Sequence, residues 1–315
     1  MARITLKRAA ELLLGQDDIV ILCHRYPDGD TIGSAFGLCM ALRDLGKRAD
    51  VLCGDIIPQK YGYIFSHLSP LESKEKYIVS VDVADAHLLG LLQEEYAERI
   101  NLCLDHHGSN KLKAEHSYVD DTAAAAGEII FELVDLLGAK LTKEIATALY
   151  TALSTDTGCF RYSNVTARTH RIAAALIEAG VDAYAINQAM FETKTKARFA
   201  IEQEMLSNID FRFDGRLAMT VLTTEMLERT AVNEGDIDGL SAMARTIEGV
   251  EMGIMIRQVA DGYKLSVRTA RGVNACDFCR ILGGGGHPAA AGCTIHADSV
   301  EEAKQIIIDT AKQIL

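Results

Sequence analysis

Residues 18–37 read DIVILCHRYPDGDTIGSAFG, and this stretch decides the fold. An apolar run from Ile19 to Cys23 ends at His24, and Asp28 and Asp30 follow within six residues. A short apolar run of this kind predicts a buried β-strand. Carboxylates this close together resist joint ionisation unless a cation lies between them. The stretch therefore indicates a metal site in the loop that follows a buried strand.

The bulk composition limits the class of protein. The chain has 315 residues, 49% of them hydrophobic and 24% charged, which is enough for two globular domains. The formal net charge of −12 argues against a protein that binds long duplex through a general basic surface. It leaves open short nucleic-acid fragments held by a few arginines and metal ions.

The cysteines and the apolar runs predict the compartment. Most of the eight cysteines lie inside apolar runs, which is typical of reduced, buried thiols. No apolar run approaches the ~20 residues that a membrane span needs, and the first residues do not resemble a signal peptide. We therefore expect a cytoplasmic protein without a membrane partner.

Strand and helix patterns alternate through the first part of the chain, which predicts an α/β fold with a parallel sheet. Asp82 and the Asp105-His106-His107 run each follow a predicted strand, and Asp156 lies in a loop after a predicted helix. Ligands bind outside the carboxyl ends of parallel strands, so these side chains should lie near His24. The predicted strands cover residues 18–23, 49–53, 77–81 and 100–104, and the predicted helices cover 4–14, 31–45, 86–99, 124–137, 143–153 and 167–179.

The pattern changes after about residue 187, where a long charged helix over 187–209 is predicted. A smaller α+β domain follows, with predicted strands at 217–222, 251–258, 263–269 and 290–295 and predicted helices at 273–282 and 300–314. We expect a catalytic domain over 1–186, a helical linker over 187–211 and a substrate-binding domain over 212–315. The linker helix could also serve a homodimer.

The mixture of imidazole and carboxylate groups suits Mn²⁺, Mg²⁺, Fe²⁺ or Zn²⁺ and disfavours calcium. A single Asp after a strand is more often a turn residue or a helix cap, and a lone buried His is more often a hydrogen-bonded core residue. Five separate loops that each end in a ligand-type residue favour the metal site. So many carboxylates exceed the charge of one ion, and a pair of ions sharing a carboxylate suits in-line displacement at phosphorus.

A glycine run, Gly283 to Gly286, precedes His287 in the second domain. Four glycines could hold phosphate through backbone N–H groups, or they could equally form a hinge or end a helix. Arg268 lies on a nearby predicted strand, and a guanidinium offers phosphate two donors; Arg257 and Arg271 are weaker candidates.

Five ordered motifs resemble those of the DHH phosphoesterase superfamily. Four are His24-x-x-Pro27-Asp28-x-Asp30-x-x-Gly33-Ser34, Val81-Asp82, Asp105-His106-His107 and Thr155-Asp156-Thr157-Gly158. The fifth, residues 283–292 (GGGGHPAAAG), is similar to the motif of the DHH-associated substrate domain. Length and layout most resemble the compact bacterial members that act as oligoribonuclease (nanoRNase) and as 3′-phosphoadenosine-5′-phosphate (pAp) phosphatase.

The resemblance implies two divalent metal ions, Mn²⁺ in the first place, with Mg²⁺ or another divalent ion as the alternative. The implied ligands are His24, Asp28 and Asp82 for one ion and Asp30, Asp82, His106 and Asp156 for the other. A water between the ions would be the nucleophile. His107 would face the scissile phosphate, and Asp105 would orient the neighbouring histidines. In related proteins the residues matching Arg268 and His287 bind the phosphate or base of the nucleotide. The substrate-binding residues that the resemblance implies are Arg268, Gly284, Gly285, Gly286 and His287.

The resemblance also implies the reaction, which is hydrolysis of short oligoribonucleotides to mononucleotides and of pAp to AMP. The same chemistry would fit linear or cyclic dinucleotides such as pApA, short DNA in the manner of RecJ, or exopolyphosphate. A non-enzymatic nucleotide-binding protein is disfavoured because every expected ligand is present. One departure is residues 123–127 (AAAAG), where the family often has a Ser-Thr pair before the residue matching Glu128.

Overall fold

The computed structural model of the chain consists of two compact units, Met1–Thr193 and Lys194–Leu315. Each unit has a six-stranded sheet and its own hydrophobic core. The division falls inside the segment that the sequence predicts as a linker. The residues that the structure describes are 2–69, 76–232, 237, 239–270 and 272–315.

The strands of the first unit form an all-parallel sheet, as the sequence predicts. They are β1 (Ala2–Arg3), β2 (Ile19–Cys23), β3 (Ala49–Cys53), β4 (Tyr77–Val81), β5 (Leu102–Asp105) and β6 (His116–Val119). Their order in the sheet is β1-β6-β5-β4-β2-β3. Every residue of β2, β4 and β5 is buried, which explains why these strands read as continuous apolar runs.

Helices and short helical turns cover this sheet. The α-helices are α1 (Leu6–Leu14), α2 (Gly29–Asp44), α3 (Gly62–Phe65), α4 (Gln93–Tyr96), α5 (Ala126–Leu136), α6 (Lys143–Asp156), α7 (Ala167–Glu178) and α8 (Ala183–Asn187). Short 3₁₀ segments lie at Gln59–Tyr61 and Ala86–Leu92, and a π-helical turn covers Gln188–Glu192. Among the described residues of the chain, no helix is both long and apolar enough to cross a lipid bilayer.

The strand order creates a crevice at one edge of the sheet. β2 lies between β3 and β4, so the chain leaves β2 towards one side and returns on the other. Loops diverge at such a switch point, and ligands bind there. His24 directly follows β2, Asp82 directly follows β4, and Asp105 is the last residue of the adjacent β5.

Close packing of α2 on α6 brings together two elements that are distant in the sequence. Gly29 and Gly33 lie on the face of α2 that meets α6. A Cβ atom at Gly33 would be 2.2 Å from the carbonyl oxygen of Ala148, and one at Gly29 would be 2.3 Å from Oγ1 of Thr155. Glycine at these positions therefore allows the two helix backbones to approach, and the first turn of α2 meets the last turn of α6.

The second unit is a mixed sheet with helices. Its strands are β7 (Asp210–Arg212), β8 (Leu217–Leu222), β9 (Met252–Val259), β10 (Gly262–Thr269), β11 (Gly285–His287) and β12 (Ala290–Ile295), in the order β11-β12-β10-β9-β8-β7. Its helices are α9 (Lys196–Ser207), α10 (Thr224–Thr230), α11 (Ala275–Ile281) and α12 (Val300–Ala311). Only the β8–β9 pair is parallel among these strands. The core between α11, α12 and the sheet includes Phe278 and Ile307.

Three predicted helices differ from the structure. The helix predicted over 86–99 is wrong, because Gly90 has φ 58° and ψ −125° and interrupts the 3₁₀ segment that precedes α4. The single helix predicted over 187–209 is also wrong: the chain becomes extended at Thr193, and Thr195 caps a new helix, α9. Conversely, α6 runs as far as Asp156, so this side chain lies on the last turn of a helix and not in the loop after it.

Candidate metal centre

The structure brings together the six residues that the sequence predicts as metal ligands. They form two groups, His24, Asp28 and Asp82, and Asp30, His106 and Asp156. In each group the ligand atoms lie within 4.8 Å of one another. Asp82 Oδ1 also lies 3.5 Å from Nε2 of His106, so the two groups meet at Asp82.

Asp82 occupies the centre of this cluster in an unusual conformation. Its φ is 60°, in the left-handed region that few non-glycine residues adopt. Oδ2 lies 3.6 Å from Nε2 of His24, and Oδ1 lies 3.5 Å from Nδ1 of His107. Oδ1 is buried and accepts no hydrogen bond from any described residue. An orphaned carboxylate oxygen is costly in a protein interior, and a divalent cation would satisfy it.

The two predicted histidine ligands present the same nitrogen to the carboxylates. In His24 and His106, Nε2 faces the acids, whereas Nδ1 lies 2.7 Å from the carbonyl oxygen of Arg25 and 3.2 Å from that of Ala123, respectively. A proton on Nδ1 leaves the Nε2 lone pair free, as in most metal-bound histidines. The separations between Nε2 and the carboxylate oxygens are 3.5–3.7 Å, longer than a charge-assisted hydrogen bond. This spacing suits ligands that share an ion.

Asp30 is held rigidly at the start of α2. It is buried, and its carboxylate accepts hydrogen bonds from Ser34 Oγ at 2.9 Å, Ala126 N at 2.7 Å and Gly127 N at 3.0 Å. Asp28 is the N-cap of the same helix and accepts from the N–H of Asp30 at 3.0 Å. Both carboxylates are therefore fixed by backbone donors before any ion binds.

The departure at residues 123–127 leaves these contacts intact. The segment supplies backbone N–H groups to Asp30 and the Ala123 carbonyl to His106. These hydrogen bonds are made by backbone groups and do not depend on the side chains. The missing hydroxyls therefore remove none of these hydrogen bonds. The following Glu128 is fully buried, and neither of its carboxylate oxygens has a hydrogen-bond partner among the described residues.

The electrostatics of the cluster favour added positive charge. Burial lowers the pKa of His24, but the contacts with Asp28 and Asp82 outweigh it and raise this pKa to about 11. Burial raises the pKa of Asp156 to about 6 and that of Asp30 well above its usual range, the latter helped by Asp82. The cluster therefore takes up protons that cations would displace.

Asp105 and His107 form a pair at the edge of the cluster. Asp105 is fully buried, and its Oδ1 lies 2.8 Å from Nδ1 of His107. Burial raises the pKa of Asp105, but hydrogen bonds from His107 and Asn110 outweigh it and keep this pKa below its usual value. The same hydrogen bond raises the pKa of His107, whose side chain is half-exposed. Sequence reasoning missed Asn110, whose amide also donates to the Val83 carbonyl.

In the second unit, Arg268 and His287 lie in register across three strands. Arg268 of β10 is opposite Ala290 of β12, which is opposite His287 of β11. Residues that are directly opposite share a face of the sheet, so Arg268 and His287 belong to one surface. Burial lowers the pKa of Arg268, and the positive charge of Arg245 adds to this effect.

The glycine run begins at the end of α11 and continues into the edge strand β11, in agreement with the helix-end alternative. Gly283 has φ 78° and ends α11 through a hydrogen bond from its N–H to the Arg280 carbonyl. A Cβ at Gly284 or Gly286 would meet the backbone of β12 at 2.3–2.6 Å, so these glycines allow the strands to pair. A Cβ at Gly285 would meet open space, which leaves this position accessible to a ligand. Arg257 lies on β9, and Arg271 lies outside the described residues.

Comparison with known proteins supports the same reading. The family model "DHH family, N-terminal domain" matches residues 18–153, and the DHHA1 domain model matches residues 218–313. The bifunctional oligoribonuclease and PAP phosphatase NrnA of Thermus thermophilus is 32% identical, over 98% of this chain and 94% of the relative. The protein of the same name from Bacillus subtilis is 24% identical, over 93% of each chain.

Solved structures show the same fold. An exopolyphosphatase-related protein from Bacteroides fragilis superposes with a TM-score of 0.88 at 22% identity, over 98% of this chain and 96% of that one. Thermus thermophilus RecJ in complex with Mn²⁺ gives a TM-score of 0.57 at 16% identity, over 98% of this chain and 55% of that one. From its two domain matches and its curated relatives, the chain belongs to the DHH phosphoesterase family and carries a DHHA1 domain after its N-terminal DHH domain.

Proposed function

We propose that this protein is a two-metal phosphohydrolase that degrades short oligoribonucleotides to mononucleotides and dephosphorylates pAp to AMP. The observation that carries the proposal is the clustering of six ligand-type side chains, one of which, Asp82, has a buried oxygen without a hydrogen-bond partner in the described parts of the chain. The relative from Thermus thermophilus, which aligns over almost the whole chain, is named for both activities.

The proposed cofactors are two divalent ions, Mn²⁺ in the first place and Mg²⁺ as the alternative. RecJ, which shares the fold, has been crystallised with Mn²⁺. Bound at this site, such ions would polarise phosphoryl oxygens and lower the pKa of a nearby water. One ion would be held by His24, Asp28 and Asp82 and the other by Asp30, Asp82, His106 and Asp156.

Asp105 and His107 would act on the substrate side of the centre. Asp105 fixes the imidazole of His107 through Nδ1, so that a second N–H of the ring would face a phosphate oxygen. The raised pKa of His107 favours the imidazolium, which stabilises the negative charge that develops at phosphorus. His107 would thus be a catalytic residue, and Asp105 would position it.

The second unit would recognise the nucleotide. Arg268 and His287 share one face of its sheet, and Gly285 is open to solvent on the edge strand beside them. A guanidinium with neighbouring backbone N–H groups suits a terminal phosphate. We propose residues 1–186 as the catalytic domain, 187–211 as the linker and 212–315 as the substrate-binding domain.

The proposed setting is the cytoplasm, because all eight cysteines are free thiols, a state that reducing compartments maintain. A homodimer belongs to the same proposal. Light scattering of the purified protein, expected to give twice the mass of one chain, checks it. A mass equal to that of one chain at working concentration would contradict it.

The direct test is a substrate panel with purified protein and Mn²⁺. The panel contains five-nucleotide RNA, pAp, pApA, five-nucleotide DNA and polyphosphate. We expect the highest kcat/KM values for the RNA and for pAp. If neither of these is turned over with Mn²⁺ or Mg²⁺, the proposal is wrong. A higher kcat/KM for pApA, DNA or polyphosphate would keep the chemistry and change the substrate.

A further inference from the structure

The loop between the candidate ligands His24 and Asp28 carries an exposed aromatic side chain. Tyr26 is 73% exposed and lies two residues from each ligand. A single exposed aromatic residue is common on protein surfaces. What distinguishes Tyr26 is the set of contacts that fixes an outward-facing ring next to the metal centre.

Tyr26 has a backbone conformation that its neighbours must maintain. Its φ of 52° lies in the left-handed region, which is unfavourable for a residue with a Cβ. Its N–H donates to Oδ2 of Asp55 at 2.8 Å, and its hydroxyl accepts from the Arg25 guanidinium at 2.6 Å. Such strain persists only where the surroundings hold it, and it concentrates at functional sites.

Arg25 covers one face of the Tyr26 ring. Its guanidinium carbon lies 4.4 Å from the ring centroid, a cation–π contact. Arg25 is itself fixed, because its N–H donates to the Leu88 carbonyl. Its Cβ also packs closely on Gly90, since a Cβ added at Gly90 would lie 3.0 Å from it. The ring therefore has one supported face, and its high exposure leaves the opposite face open to a flat partner.

We infer that Tyr26, backed by Arg25, is a stacking platform for a nucleobase of the substrate. This inference deepens the proposed function and rests on it. Metal ions held by Asp and His ligands bind phosphate, which carries no information about bases. Stacking on an aromatic ring recognises any base, because every base has a π-face. A platform beside the metals would therefore favour nucleotides over other phosphate esters without selecting a sequence.

The test compares a substrate with bases and one without them. The full chain with Mn²⁺ is given five-nucleotide RNA and, separately, an abasic ribose-phosphate oligomer of the same length. We expect Tyr26→Ala to lower the ratio of kcat/KM for RNA to kcat/KM for the abasic oligomer by about 5- to 150-fold, the range for one stacked base. The loss should be in KM, and Tyr26→Phe and Tyr26→Trp should keep the ratio.

Tyr184→Ala is the matched control. Tyr184 is 70% exposed, and its hydroxyl accepts a hydrogen bond from Gln188 within the α8 region, so the ratio should not change. Equal losses on both substrates in Tyr26→Ala would show that Tyr26 only shapes the loop, and an unchanged ratio with full activity would show no base contact. Either result overturns the inference while the wild type still cleaves RNA. A wild type that cleaves no RNA instead overturns the proposed function, and this inference with it.

Discussion

At the scale of single residues, Asp82 combines features that proteins usually avoid. It is buried, has a left-handed φ of 60°, and keeps one oxygen without a hydrogen-bond partner in the described structure. Each feature costs stability, and together they indicate a residue kept for function. Binding of a cation to this carboxylate would offset the free energy that these features cost.

Asp82→Asn removes the charge of this side chain and keeps its shape. It therefore shows separately what the charge does for activity and what it does for stability. We expect kcat/KM on five-nucleotide RNA to fall by at least about 10²-fold, because a lost ligand should cost no less than a lost outer contact. The metal-free variant should unfold at a lower temperature at neutral pH, since without ions Asp82 faces the protonated His24, whose pKa of about 11 depends on this contact. Steady-state kinetics and calorimetry measure the two effects.

Asp135→Asn is the control for Asp82→Asn, because Asp135 is an exposed residue of α5 and should change neither quantity. Activity of Asp82→Asn within twofold of wild type would contradict the assigned bridging role. An unchanged unfolding temperature of the metal-free variant would instead show that the carboxylate is not paired with this imidazole when no ion is bound.

At the scale of elements, the sequence predicts the strands and helices that have a regular pattern of buried residues. β2 and β4 are buried throughout, and the sequence predicts both to within one residue, as it does α7. It does not predict β1 and β6, because both are short and β1 exists only by pairing with β6, which is distant in the sequence. The break before α9 was missed because neither Gly nor Pro marks it.

The candidate site, too, could be predicted from the sequence only in part. The side chains that could bind metal were predictable, since five separate segments each place an Asp or His where the loops of a parallel sheet converge. The backbone donors of residues 126–127 to Asp30 were not, because every residue has an N–H. The glycine spacing of α2 was visible in the sequence and could have predicted its contact with α6. Which atoms of α6 these glycines contact depends on tertiary packing.

This contact gives a prediction at Gly33. A Cβ there would lie 2.2 Å from the Ala148 carbonyl oxygen, so Gly33→Ala must push α2 away from α6. We expect a destabilisation of about 1–3 kcal/mol, as for other overpacked cores. We also expect weaker Mn²⁺ binding, because Asp30 and Asp156 lie at the ends of these two helices. Urea unfolding and calorimetric titration with Mn²⁺ measure both.

Gly62→Ala is the matched control for Gly33→Ala. Gly62 begins α3, has a helical φ of −55°, and a Cβ there would meet nothing within 4 Å. This change should be neutral or stabilise by about 0.4–1 kcal/mol. If Gly33→Ala is as stable as Gly62→Ala, the close approach of the two helices is not as described.

A second prediction concerns Arg168, which ties α7 to α5. Its Nε lies 2.8 Å from Glu132 and 3.4 Å from the fully buried Glu128, and Nη1 lies 2.7 Å from Asp120. Arg168→Met would leave Glu128 as an uncompensated buried charge. Breaking a buried pair costs about 3–5 kcal/mol, and partial exposure of Arg168 should reduce this to about 2–3 kcal/mol.

The double variant Arg168→Met, Glu128→Gln decides whether the buried charge is the cause. Glutamine keeps the shape of Glu128 without the charge, so the double variant should recover part of the lost stability in urea unfolding. No recovery would mean that the loss comes from the packing of Arg168 against its other partners. A loss below about 0.5 kcal/mol for Arg168→Met alone would show that Glu128 does not need this cation.

At the scale of the whole molecule, charge limits the substrate. The chain carries a formal charge of −12, and several arginines and lysines of the first unit form ion pairs with its own acids, as Arg48 does with Asp17 and Asp18. Long nucleic acids are held mainly by phosphate neutralisation. A protein of this charge would repel phosphates beyond those that meet the metal ions and Arg268. We therefore expect the net negative charge, as well as the site, to favour short substrates.

The dependence of binding on salt and on RNA length tests this argument. With about two to four neutralised phosphates, the slope of log K against log[salt] for five-nucleotide phosphorothioate RNA should be about −1.4 to −2.8. A 24-nucleotide RNA should bind no more tightly than the pentamer, because the net charge of −12 opposes the binding of additional phosphates. Fluorescence anisotropy with Mn²⁺ held constant measures both. A slope steeper than about −5, or affinity that rises with length, would reveal a basic track and contradict the assignment to short substrates.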